Sequence, residues 1–134
     1  MSRGVHRSAV IALVAACAAL AGCEARIEQL TSAPPGARVS VDVDDASVVL
    51  TRGAAVAIAC TEQGTPCNQV RAESDDGDVA FARRAWQDDL DPDGVDGQAA
   101  REAVVIAGLA EGETTVRLVW VSGEMDVRVV VVPR

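Results

Sequence analysis

Thr114-Thr115-Val116-Arg117-Leu118-Val119-Trp120 and Val127-Arg128-Val129-Val130-Val131-Val132 decide the fold. In the first run Val116, Leu118 and Trp120 share one parity, and Thr115, Arg117 and Val119 take the other. Side chains of a strand alternate between faces, so this pattern predicts a half-buried strand. In the second run Val127, Val129 and Val131 oppose Arg128, while Val130 and Val132 make its end apolar on both faces. That end is expected to be covered or paired. Ser122-Gly123-Glu124 supplies the turn between the two runs.

Working outward, the same period recurs. Val39, Val41 and Val43 alternate with Ser40 and Asp42; Val48-Val49-Leu50 follows; Arg52-Gly53 turns. Val56, Ile58 and Cys60 then alternate with Ala55, Ala57 and Ala59. Residues 70–74 give a weaker strand ended by Asp75-Asp76-Gly77, residues 79–81 a short one, and residues 103–109 another before a turn at 110–113. About seven short strands with turns between them, and no convincing helix, predict an all-β sandwich. Residues 83–101 break the pattern and read as an acidic insert in a domain spanning 38–134.

The chain opens differently. Arg3, His6 and Arg7 precede an apolar run over residues 9–21, roughly thirteen residues against the about 20 a spanning helix needs. Its length and flanks are those of a secretory leader. Leu20-Ala21-Gly22-Cys23 ends the run and resembles the lipobox of bacterial lipoproteins. That resemblance implies a diacylglycerol thioether on Cys23, cleavage before it, and a third acyl chain on the new N-terminus. It implies a signal peptide at 1–22 and attachment to a membrane of the bacterial cell envelope. The alternative is an ordinary secretory signal cut near a chance cysteine. Residues 23–37, with Pro34-Pro35-Gly36, read as the lipidated N-terminus and a linker that lifts the domain off the membrane.

A second resemblance concerns the body. Val48-Val49-Leu50, Gly53 and Val56-Ala57-Ile58 look like the opening of a bacterial Ig-like domain. Val70, Ser74-Asp75 and Val79-Ala80 resemble its third-strand region. Gly108-Leu109, Gly112, Thr114-Thr115-Val116 and Val127-Arg128-Val129 resemble its close. The resemblance implies an Ig-like β-sandwich used for adhesion, spacing or scaffolding, without catalysis. Ala72 stands where a tryptophan is common, and the insert around Trp86 lies outside the usual pattern.

Loss of the leader removes Cys17, and lipid would occupy Cys23. Cys60 and Cys67 then remain as an even pair in an oxidising compartment, which predicts a structural disulfide. A redox or metal pair is the alternative, but the spacing is not C-x-x-C. Every basic residue is arginine; without Arg3 and Arg7, ten face twenty carboxylates, a net charge of 10 − 20 = −10 over residues 23–134. Such a chain repels nucleic acid and anionic lipid headgroups, so no nucleic acid is expected as a partner. The acidity also serves solubility.

Three features carry the remaining chemistry. Asp89-Leu90-Asp91-Pro92-Asp93-Gly94 matches the first half of a calcium loop, with Asp96 nearby. Its twelfth position is Ala100 rather than a glutamate, and Asp96 and Glu102 are off register. A solvated acidic loop and a Ca²⁺ site (Asp89, Asp91, Asp93, Asp96) are both open, and no other cofactor is expected. Trp86, among Arg83, Arg84 and Asp88, either anchors a protein partner or folds back to cap the sandwich. Finally, residues 23–134 contain no His, Lys or Tyr. That removes histidine-assisted nucleophiles, Ser-Lys dyads, Schiff bases and histidine metal sites. The expectation is a non-enzymatic, membrane-anchored envelope protein with a structural or protein-binding role. A calcium-dependent module and an accessory subunit of a larger envelope complex are the alternatives.

Overall fold

The computed structural model describes residues 25–86 and 102–134. These form ten strands and no helix: β1 (Ala25–Gln29), β2 (Val39–Asp42), β3 (Ser47–Thr51), β4 (Ala55–Glu62), β5 (Thr65–Pro66), β6 (Arg71–Ser74), β7 (Ala80–Trp86), β8 (Glu102–Gly108), β9 (Gly112–Trp120) and β10 (Gly123–Val132). One sheet has the order β1-β4-β8-β7, with β5 paired to the end of β4; the other runs β2-β3-β10-β9-β6. Without the β2–β3 hairpin and β5, seven strands remain. Their order is first-second-fifth-fourth on one sheet and third-sixth-seventh on the other, the arrangement of an Ig-like sandwich. Every pairing is antiparallel except β3 with β10.

Alternation builds the core. From one sheet Ile27, Val56, Ile58, Ala80, Val104 and Ile106 point inward; from the other come Val48, Leu50, Val116, Leu118, Val127 and Val129, all buried. Each large aliphatic side chain contributes about 1.5–3 kcal/mol by leaving water. The apolar end of β10 is paired on both sides, with β3 and β9. At Gly108 the sheets come close, since a Cβ there would stand 3.1 Å from Val131 Cγ1 and 3.3 Å from Leu50 Cγ.

Two boundaries differ from expectation. The chain after Ala25 is not a tether: β1 pairs with β4 over five residues, and Ile27 is only 1% exposed opposite Cys60. The Leu30 amide donates to Ala57 O at 2.8 Å, and the Ala57 amide donates to Thr31 Oγ1 at 2.9 Å. Pro34-Pro35-Gly36 is the turn that carries the chain to the second sheet. The Ala37 amide bonds Pro34 O at 3.0 Å and Gly36 has φ 77°, which fits a type II turn. The second difference is the insert, expected from residue 83. β7 continues through Arg83 and Arg84 to Trp86, and β8 starts at Glu102. Among the described residues β7 ends its sheet, and its far half is mostly exposed on both faces, so it needs no apolar alternation there.

Candidate functional site

The two ends of the sandwich are unlike. Ala25 opposite Glu62, and Trp120 opposite Gly123, mark one end, the basal pole. The turn residues Gly53 and Gly108 and the end of β10 mark the apical pole.

Cys60 on β4 is bonded to Cys67, with the Cα atoms 5.3 Å apart. Between them Gln63 and Gly64, with φ 52° and 77°, form the two-residue turn of the β4–β5 hairpin. Positive φ at both positions is the mark of a type I′ turn, whose twist suits a hairpin. Beside the cystine lies Trp120, 6% exposed. Its Nε1–H donates to Glu62 Oε2 at 3.1 Å, and Ser122 Oγ donates to Glu62 Oε1 at 3.0 Å. A buried indole N–H needs such a partner. Gly123 is required beneath this ring, because a Cβ there would come within 2.8 Å of Trp120 Cζ2.

Glu102 has the matching role on β8. The Val70 amide donates to Glu102 Oε2 at 2.7 Å, and Arg84 Nη2 stands 3.7 Å from Oε1. Each glutamate therefore ties its own sheet to a segment leading into the other. Both continue the inward parity of their strands, after Val56, Ile58 and Cys60, and before Val104 and Ile106. That parity was the available signal for them, although a carboxylate at a strand end reads as a turn residue.

Next to this plug an open cleft of about 650 Å³ is lined by Gln69, Arg71, Arg84, Val119, Trp120 and Val121. Trp86, 40% exposed, lies on β7 with the Arg84 guanidinium carbon 4.9 Å from its ring centroid. It neither sits on a loop nor caps the core. An exposed cation–π contact of this kind contributes about 0.5–1 kcal/mol. The charged and amide groups of the cleft, Arg71, Arg84 and Gln69, can hold an acidic or amide group. They offer no nucleophile paired with a base.

The remaining expected sites lie outside the described residues: Cys23 of the lipobox-like motif, and Asp89, Asp91, Asp93 and Asp96 of the acidic loop. Glu102, close to that loop in sequence, is already engaged by Val70 and Arg84.

No family model matches the chain, and no curated protein matches it. Among solved structures, domains 4 and 5 of the S-layer protein SbsC are 21% identical over 79% of this chain and 53% of that one, with a TM-score of 0.43. Domains 1–6 of the same surface-layer protein give 21% identity, 81% and 13% coverage, and a TM-score of 0.48. Domains 5–6 give 23%, 72% and 45%, and 0.45. The chain thus spans about half or less of each of these structures. At this identity and superposition the likeness carries nothing about what the chain does.

Proposed function

We propose that this chain is a lipid-anchored protein of the bacterial cell envelope whose folded portion is a non-catalytic Ig-like module with a structural or protein-binding role. One observation supports it most: the described strands run from Ala25 onward, so cleavage before Cys23 would discard residues 1–22 and leave every described strand whole. The lipobox-like motif thus lies ahead of every described strand. The non-catalytic aspect of the reading rests on residue types, since residues 23–134 lack His, Lys and Tyr. It also rests on the engagement of Glu62 and Glu102 in sheet-to-sheet hydrogen bonds. Cys23→Ala tests the anchor: the variant should leave the membrane fraction and appear as soluble protein, and unchanged partitioning would sink the reading.

A narrower version makes the protein an accessory subunit that docks through β7. It is favoured by Trp86, exposed on a strand that ends its sheet among the described residues. Cross-linking in intact cells should give an adduct that Trp86→Ala weakens. A calcium-dependent version rests on the sequence of Asp89, Asp91, Asp93 and Asp96. Titration calorimetry with millimolar Ca²⁺ that gives no heat ends it.

A further inference from the structure

We infer that the basal pole lies directly against the lipid surface, with the Val121-Ser122 hairpin tip and Arg26 at the headgroups, instead of hanging from a flexible tether. The inference rests on acylation of Cys23, as proposed above, and adds an orientation to it.

The first support is covalent reach. Ala25 follows Cys23 by two positions, so their Cα atoms are at most about 7 Å apart. Ala25 is fixed: it pairs with Glu62, and the buried Ile27 holds β1 in its sheet. A flexible linker of the length expected from the sequence would give an end-to-end distance of about 20 Å. Here no such slack exists between the acylated residue and the first strand. An acyl chain entering the bilayer at Cys23 draws the pole that contains Ala25 to the surface.

The second support is what that pole presents. Val121, at the tip of the β9–β10 hairpin, is 72% exposed, the most exposed large apolar side chain among the described residues. The hairpin tip is joined to the anchor point through Glu62, which pairs with Ala25 and accepts from Ser122. Val43, 41% exposed, and Met125 line a hollow with Ala25 and Arg26. Apolar tips enter the interface, while arginine lays its stem along apolar surface and keeps its guanidinium among phosphates. Asp44 and Glu124 share that hollow with Arg26, so its charges do not sum to a basic patch. The contact is therefore imposed by the anchor and by apolar surface, and anionic lipid does not strengthen it.

The opposite pole then points away from the bilayer. Leu109, 53% exposed, and the end of β10 stand up to about 30 Å off, given ten residues in β10 at about 3.3 Å each.

The test uses the full-length acylated protein in vesicles of phosphatidylethanolamine with and without phosphatidylglycerol. A spin label on a bio-orthogonal amino acid replaces either Val121 or Leu109, so that no new thiol competes with Cys60 and Cys67. Flotation and intact mass report the anchor independently. The label at 121 should gain several-fold in collision with oxygen relative to an aqueous nickel reagent, no more with phosphatidylglycerol than without it, while the label at 109 stays aqueous. A Gly/Ser spacer of about 20 residues between Cys23 and Ala25 should abolish the gain and keep flotation. Floating, acylated protein whose label at 121 stays aqueous overturns the orientation and leaves the anchor standing. Protein that neither floats nor carries lipid overturns both.

Discussion

The basal and apical poles close the same sandwich by different means. At the apical pole the backbone does most of the closing. The Arg52 amide donates to Val132 O, Gly53 to Gly108 O, Gly108 to Ala54 O and Leu109 to Val79 O, all within 2.8–2.9 Å. At the basal pole side chains carry more of the closing: the Cys60–Cys67 bond, Glu62 with Trp120 and Ser122, and Glu102 with Val70. Backbone bonds persist there, from the Cys67 amide to Cys60 O at 3.0 Å and from the Val121 amide to Asn68 O at 3.2 Å, and the side chains add to them beside the open cleft. The lesson is that the basal pole should be the more sensitive to truncation of single side chains.

The largest effect expected from this contrast is at the cystine. Replacing both Cys60 and Cys67 by alanine should lower stability by about 2–3 kcal/mol, read by urea denaturation. An unchanged midpoint would mean that the hairpin is held without the bond. Next, Glu102→Ala strands the Val70 amide, a loss of about 1–3 kcal/mol. Hydrogen exchange should show Val70 losing protection while Gly108, at the far end of β8, keeps it. At the apical pole Thr114 Oγ1 accepts from the Asp76 amide at 3.0 Å, where water can partly substitute. Thr114→Val should cost about 0.5–1 kcal/mol, and a cost equal to that of Glu102→Ala would erase the contrast between the poles. The smallest effect belongs to neither pole. Ser74 Oγ is buried without a hydrogen-bond partner, so Ser74→Ala should leave the midpoint unchanged or slightly raised.

What the sequence made legible follows the same division. β9 and β10 were readable because each has one face more buried than the other, and burial enforces alternation; β4, buried on both faces from Val56 to Cys60, was readable because its larger residues alternate with alanine. The disulfide was readable by counting, once Cys17 and Cys23 had been set aside. β1 was not, because one large inward residue, Ile27, between Arg26 and Glu28, with only the small Ala25 packed beside it, makes no clear period. Its place comes from pairing with β4, a long-range contact that local pattern does not encode. The second half of β7 was missed because its inward positions, Arg84 and Trp86, lie past the end of the core. The parallel pairing of β3 with β10 likewise left no trace beyond the doubly apolar end of β10. Glu62 and Glu102 show the general difficulty: a polar residue facing inward looks in sequence like a polar residue facing water.

The exposed faces add little to stability. Arg117 donates to Asp126 at 3.1 Å on the open surface of the β9–β10 ladder. That bond, with Glu124 nearby, raises the guanidinium pKa above its ordinary value. Arginine is charged at any physiological pH in either case, so no pH dependence follows.

The anchor is the central claim, and one measurement reaches it directly. Trypsin cuts after Arg26, so protein taken from the membrane fraction should release the peptide Cys23-Glu24-Ala25-Arg26. Mass spectrometry should find that peptide carrying a diacylglycerol thioether on Cys23. An unmodified Cys23, or a mature chain whose N-terminus lies at any other residue, would contradict the account.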